Sequence, residues 1–150
     1  MNILSRKLID NIAQPLMILA GIIFLASLFL GTLKSGEEGA LPGFVCLFFG
    51  PIYHLGWYAN PLLFLSWLLL LVKRSSVFAI MSSVISLLLA LTTFYIEEFP
   101  ANEAGSMTRV TGYGPGFYLW LASIVLTLIA AFLSAIKQSD EDEDLITISS

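Results

Sequence analysis

The sequence predicts an all-α integral membrane protein, built as a four-transmembrane-helix bundle with a broken or re-entrant segment before the second helix. Hydrophobic residues make up 57% of its 150 residues, and charged residues only 12%. Soluble domains carry about 25% charged residues, so lipid is the expected solvent of this chain. Its apolar runs are long enough for spans of about 20 residues. The predicted spans are 12–33, 52–72, 77–96 and 117–136, in a transmembrane domain of residues 1–136.

The first span, 12–33, is longer than the roughly 7–15 apolar residues of a cleaved signal, so we expect it to be retained. With four spans, both termini lie on the same side of the membrane. Five of the seven basic residues share that side, which places both termini in the cytoplasm by the positive-inside rule. Short loops without Asn-x-Ser/Thr signals favour a bacterial inner membrane. The five basic residues are Arg6, Lys7, Lys73, Arg74 and Lys137.

The second apolar run, Leu41–Val72, has no formal charge and is too long for one ordinary span. Pro51 lacks a backbone donor, and Pro61 is expected to kink a helix near Asn60. We therefore predict an interfacial or re-entrant piece at 44–50, followed by the second span at 52–72. Irregular backbone at membrane depth persists only where protein covers it or where it faces a water-filled cavity. This segment is accordingly the leading candidate for function.

The candidate functional residues of this segment are His54, Trp57, Asn60 and Trp67. His54 is either a neutral interfacial histidine or a protonatable sensor or relay. Asn60 either prepares the proline kink, bridges two helices or lines a cavity. Trp57 suits the outer headgroup layer. The indole N–H of Trp67 lies deeper and is expected to find a partner on another helix.

The third and fourth spans carry small residues at helical spacing, which lets helices approach closely where no hydrophobic effect drives their association. Packing within one chain and a contact between chains are both consistent with these rows. The predicted helix-packing residues are Ser82, Ser86, Ala90, Ser123, Thr127, Ala131 and Ala135.

The stretch Thr111–Gly114 reads TGYG and resembles part of a potassium-channel filter, whose sequence is Thr-Val-Gly-Tyr-Gly. Val110 stands where the filter threonine belongs, and the preceding stretch carries three carboxylates, an arginine and a proline, so it cannot form a pore helix. We predict a turn instead, with positive φ at Gly112, Gly114 and Gly116. An aromatic collar at the interface follows, made of Tyr113, Phe117, Tyr118 and Trp120.

The sequence contains few of the residues that catalytic or cofactor sites require. Cys46 is the only cysteine and His54 the only histidine, which excludes an intramolecular disulfide and a two-histidine haem site within one chain. No Asp, Glu, Lys or Arg lies inside the four predicted spans, which disfavours proton-coupled transport. We therefore expect no enzyme activity, no metal and no cofactor, and nothing in the chain suggests a nucleic-acid partner.

The last segment, 137–150, is predicted to be a disordered acidic tail in the cytoplasm, because consecutive like charges repel and remain solvated. It is either a solubilising terminus or a docking strip for a basic partner. Its docking residues are Asp140, Glu141, Asp142, Glu143 and Asp144.

The leading functional hypothesis is a non-catalytic subunit or scaffold of a membrane complex, which assembles with itself or with other membrane subunits. The alternative is an oligomeric passive pore or small transporter lined by the broken segment 44–61. A second alternative is a membrane enzyme or a lipid or quinone sensor with an outer-leaflet pocket near His54 and Trp57.

Overall fold

The computed structural model describes residues 3–36, 39–72, 76–100 and 107–149, with side chains described for 12–36, 39–72, 76–99 and 107–136. The chain is mostly helical. Its helices are α1 (Ile3–Leu28), α2 (Gly43–Tyr53), α3 (Ala59–Val72), α4 (Ser76–Leu91) and α5 (Pro115–Ser149). Two short 3₁₀ helices adjoin them, at Leu55–Tyr58 before α3 and at Thr92–Tyr95 after α4.

Two small antiparallel sheets cap one end of the bundle, which we call the strand end. The strands are β1 (Gly31–Ser35), β2 (Gly39–Pro42), β3 (Glu98–Pro100), β4 (Met107–Arg109) and β5 (Gly112–Tyr113). One sheet has the order β2-β1-β5, and β3 pairs with β4. The expectation of an all-α chain is corrected here, because these connections satisfy their backbone groups by pairing with one another. Gly39, with φ of 82°, supplies the left-handed residue at the start of β2.

The TGYG stretch is the edge of the larger sheet. Gly112 pairs with Lys34 and Tyr113 with Leu33 of β1, and the N–H of Gly114 donates to the Thr32 carbonyl at 2.6 Å. Pro115 then begins α5, where a proline needs no N–H. The predicted positive φ at Gly112, Gly114 and Gly116 is wrong, since Gly39 is the positive-φ glycine of the described residues. At Gly116 the close approach of the last turn of α1 and of the turn after it explains the glycine, because a Cβ there would lie 2.6 Å from the Leu30 carbonyl oxygen and 2.9 Å from that of Ser27.

The long helices pack around a small apolar core near the strand end. α5 lies between α1 and α4, and α3 packs on the other side of α4. The buried apolar core residues are Phe24, Ala59, Leu63, Ala90 and Ile124. Six of the seven predicted packing residues are buried within the single chain, and Ala135 is half-buried.

Small polar residues are buried between the helices beside the apolar core, and the outer faces of the bundle are apolar. Ser82 and Ser86 of α4 donate to the carbonyls of Leu62 and Ala59 on α3, at 2.7 and 2.8 Å. Ser66, Ser83, Ser123 and Thr127 are also fully buried. The exposed faces of α3, α4 and α5 carry large apolar side chains, among them Leu68, Leu71, Phe78, Met81, Ile85, Leu88, Ile129 and Phe132. This arrangement reverses that of a water-soluble bundle.

Within the described residues, three helical segments are long and apolar enough to cross a membrane: Leu55–Val72, Ser76–Tyr95 and Pro115–Ile136. The predicted first span reaches Leu33, but α1 ends at Leu28, and Leu33 lies in β1. The short connection at 73–75 lies outside the described residues.

The second apolar run is divided, as expected, but at a different place. The interfacial or re-entrant piece predicted at 44–50 is a helix, α2, which continues through Pro51 to Tyr53. The sequence predicts the break at Pro51, whereas the chain breaks three residues later, at His54, whose backbone is extended (φ −154°, ψ 141°). Pro61 lies in the first turn of α3, where a proline does not disturb the helix.

The acidic segment at the end of the chain differs from the expected extended tail, because α5 is helical to Ser149. No glycine or proline occurs after Gly116 to end the helix, and the segment contains good helix formers such as Glu, Leu, Lys and Gln. The side chains of Asp140, Glu141, Asp142, Glu143 and Asp144 lie outside the described part, so a docking role for them stays a prediction.

Candidate ligand-binding cavity

α2 is not collinear with α3, and it covers the strand end of the bundle from one side. It begins after Pro42, whose backbone is extended, and it ends at His54. Its N-terminus lies against the last turn of α1: a Cβ at Gly43 would lie 2.9 Å from the Leu28 Cα and would contact the Ser27 carbonyl. Only glycine allows this approach, which sets the position of α2.

A cavity of about 680 Å³ lies between α2 and the ends of α1, α3 and α5. Its wall is mainly apolar, with aromatic and aliphatic side chains from every surrounding element. It is partly open to the outside. Residues that line it include Phe24, Leu28, Leu33, Leu41, Val45, Cys46, Leu47, Phe49, Tyr53, Phe99 and Phe117.

The floor of the cavity is formed by Phe24, Asn60 and Trp120, which are the lining residues furthest from the strand end on their three helices. The Trp120 Nε1–H donates to Asn60 Oδ1 at 2.9 Å, which links α5 to α3. An indole N–H can only donate, so the oxygen of the Asn60 amide must face it. The ring of Phe24 makes edge-on contacts with Phe64 and Trp67 beneath the floor.

Two side chains replace the backbone donors that the two prolines of this region lack. Pro51 cannot donate to the Leu47 carbonyl, and the Trp57 Nε1–H donates to it instead. Pro61 likewise cannot donate to the Trp57 carbonyl, to which Asn60 Nδ2 donates at 3.0 Å. Together with the Trp120 bond, these contacts connect α2, the 3₁₀ helix, α3 and α5 in one chain of hydrogen bonds. The site is therefore held rigidly although its backbone is broken.

The wall beside α1 contains a second polar contact. The Thr32 hydroxyl donates to the Leu41 carbonyl at 2.7 Å, and the Cys46 Sγ lies 3.1 Å from the Thr32 Oγ1. Since the hydroxyl has a single proton, the thiol is the donor of this second bond. Burial raises the pKa of Cys46, so the group is a neutral thiol at pH 7.

His54 and Thr93 meet on the wall near Gly56. His54 Nδ1 accepts from the Gly56 N–H at 2.9 Å, and partial burial lowers the pKa of the imidazole. The ring is therefore neutral at pH 7, with its proton on Nε2. A Cβ at Gly56 would lie 2.9 Å from His54 Nδ1 and would also contact Thr93 Oγ1. Glycine at this position is required for the two side chains to come together.

Three of the four candidate residues of the second run, His54, Trp57 and Asn60, line this one cavity. Trp67 lies below it and donates to Thr127 Oγ1 of α5 at 2.8 Å, which confirms the expected partner on another helix. Phe24 and Thr93 were not predicted as site residues, and Trp120 was predicted only as part of the aromatic collar. Their apolar surroundings in the sequence resemble those of any span, so they carried no signal of a site.

The described residues contain no group of three or more His, Cys, Asp or Glu side chains that could hold a metal ion. Comparison with known proteins found no matching family model, no matching curated protein and no matching solved structure.

Proposed function

We propose that the chain is a multi-pass membrane protein that acts by binding, and that it holds an apolar, lipid-like molecule in the cavity at its strand end. The observation that carries this proposal is the cavity of about 680 Å³ with a mainly apolar wall. Pockets for small ligands have volumes of about 300–1,000 Å³ and are lined mostly by apolar and aromatic side chains.

Membrane insertion is supported by the three long apolar helical segments and by the apolar outer faces of α3, α4 and α5. In water these faces would expose far more contiguous apolar surface than a soluble monomer does. α1 supplies a fourth span in this proposal, since its 26 residues reach roughly 39 Å at about 1.5 Å per residue. The strand end, which carries Lys34 and Arg109, then faces outward and the termini face the cytoplasm.

An empty cavity of this size is energetically unfavourable. At about 24 cal/mol per Å³, a closed void of 680 Å³ would cost on the order of 16 kcal/mol, more than the roughly 5–15 kcal/mol by which proteins are stable. The cavity is partly open, so this figure is an upper bound. Water gains few partners over most of the wall, because it is mainly apolar and Thr32, Trp57, Asn60 and Trp120 already make hydrogen bonds within the protein. A hydrocarbon occupant avoids both costs.

Native mass spectrometry of the full chain, extracted gently from its membrane, tests the proposal. We expect a lipid-sized adduct on the wild type. The V45W variant should lose it, because Val45 lines the cavity and tryptophan would fill part of it. The matched control is I52W on the same helix, where the side chain is 75% exposed and points away from the cavity; it should keep the adduct. A wild type without an adduct, or V45W with an undiminished one, would contradict the proposal.

A second candidate function is the non-catalytic subunit of a membrane complex. The observation that favours it is the continuation of α5 as a helix from Ile136 to Ser149, which presents the acidic segment on a defined scaffold. Other proteins in the same mass spectra would support this function. A passive pore through one chain is disfavoured, because the lining of the cavity ends at the floor formed by Phe24, Asn60 and Trp120.

A further inference from the structure

Thr93 is a buried residue on the cavity wall. It is only 8% exposed, it lines the cavity, and its Oγ1 has no hydrogen-bond partner among the described residues. Its neighbour in sequence, Thr92, instead donates to the Leu89 carbonyl at 2.6 Å. Buried polar atoms are nearly always paired, so an unpaired one on the wall of a cavity indicates a partner outside the chain.

His54 provides a second donor beside it. Because Nδ1 accepts from the Gly56 N–H, the proton of the neutral ring is on Nε2. That N–H has no acceptor among the described residues, and the side chain is only half-buried on the cavity wall. A Cβ built on Gly56 would contact Thr93 Oγ1 and would lie 2.9 Å from His54 Nδ1, so the two side chains approach each other beside this glycine. The Thr93 hydroxyl and the His54 imidazole, whose free donor is Nε2–H, therefore lie on the same part of the cavity wall.

We propose that Thr93 and His54 together bind one carbonyl oxygen of a long apolar ligand, such as an ester or a quinone. This inference rests on the proposed function. Hydroxyl and imidazole donors both fit a carbonyl, which accepts two hydrogen bonds. The cavity has room for roughly 20 non-hydrogen atoms at about 30 Å³ each, which is the size of a single hydrocarbon chain with a small polar head. Glu98 also lines the cavity and repels an anionic head, which favours a neutral carbonyl over a carboxylate.

The experiment compares three probes on the purified full chain in nanodiscs: decyl-benzoquinone, methyl laurate and decylbenzene. Decylbenzene resembles the quinone in size but lacks its oxygens. Competition against a brominated alkyl chain that quenches tryptophan fluorescence reports binding, since Trp57 and Trp120 line the cavity. We expect at least one carbonyl probe to bind the wild type about tenfold more tightly than decylbenzene. The tighter of the two carbonyl probes identifies the source as quinone or ester.

The T93V variant removes the hydroxyl and keeps the shape of the side chain. It should lose most of the preference for the carbonyl probe and bind decylbenzene as the wild type does. The T92V variant is the matched control, because the Thr92 hydroxyl bonds within the helix and does not line the cavity; it should retain the preference. Equal affinity of all three probes for the wild type, or an unchanged preference in T93V, would overturn the inference while leaving the apolar cavity intact. If no probe binds the wild type, the proposed function itself fails.

Discussion

Replacing Asn60 with leucine removes the side chain that joins α3 to α5 at the floor of the cavity. Asn60 is 7% exposed, and its amide makes two hydrogen bonds at once. Its oxygen accepts from the Trp120 indole at 2.9 Å, and its nitrogen donates to the Trp57 carbonyl at 3.0 Å. Leucine has a similar size, so the substitution changes the hydrogen bonding more than the volume.

The expected loss of stability follows from these two bonds. Hydrogen bonds between membrane helices contribute about 0.6 kcal/mol on average and at most about 1.7 kcal/mol. The Trp57 carbonyl loses its side-chain donor and keeps only the Ala59 N–H, because Pro61 has no N–H to donate. The Trp120 donor is left facing an apolar side chain, which costs about 1–3 kcal/mol when no water replaces the acceptor. We therefore expect N60L to lower the free energy of unfolding by about 1–3 kcal/mol.

The assay is unfolding by SDS titration in mixed micelles, with thermal melting in detergent as a second measurement. A double-mutant cycle with W120F isolates the bond between the two side chains, since phenylalanine keeps a ring and removes the N–H. We expect a coupling energy of at least about 0.6 kcal/mol between Asn60 and Trp120. An unchanged stability of N60L, or strictly additive effects in the cycle, would show that the bond between Asn60 and Trp120 does not hold α3 to α5.

Three further predictions concern the buried contact between Trp67 and Thr127 and the position of α2. T127L should lower the free energy of unfolding in detergent by about 2–4 kcal/mol, because it overpacks a fully buried site and removes the acceptor of Trp67. The control L126I should change it by less than about 1.5 kcal/mol. Equal melting temperatures of the two variants would contradict this prediction. Labelling of Cys46 by N-ethylmaleimide should be slow and should increase about tenfold per pH unit from pH 7 to 9 without a plateau, because burial raises the pKa of the thiol above 9.0. W57F should speed that labelling at fixed pH by releasing the Leu47 carbonyl and loosening α2, and an unchanged rate would show that the indole bond does not hold this helix.

The sequence was sufficient to predict a broken second run and three of the cavity residues, because proline positions and lone polar residues are local signals. The place of the break was not predictable from those signals alone. Pro61 looks like a kink in a continuous helix, but once α3 begins at Ala59 it lies in the first turn and needs no donor. Whether Pro61 kinks a continuous helix or lies in the first turn of a new one depends on His54, whose extended backbone is fixed by contacts with Gly56.

Long-range pairing explains most of what sequence reasoning missed. β5 pairs with β1, which lies far earlier in the chain, and neither strand is long enough to show an alternating pattern. Thr93 resembles any hydroxyl residue at the end of a span, and its position in the cavity depends on the close contact with Gly56. Trp120 is one of several interfacial aromatic residues until Asn60 is found opposite it.

The cavity and the excess length of the second apolar run have one cause. A continuous helix through this run would place its first turns alongside α1 and α5 and would fill the strand end. Because the chain breaks at His54, α2 lies to one side and leaves the space between Phe24, Trp120 and Val45 open. α2 must then be apolar on both faces, since its inner face lines the cavity while Phe48 and Ile52 on its outer face are 74% and 75% exposed. Such a helix is unusual in a soluble protein, so α2, whose inner face lines the cavity, also argues for a lipid environment around the proposed ligand site.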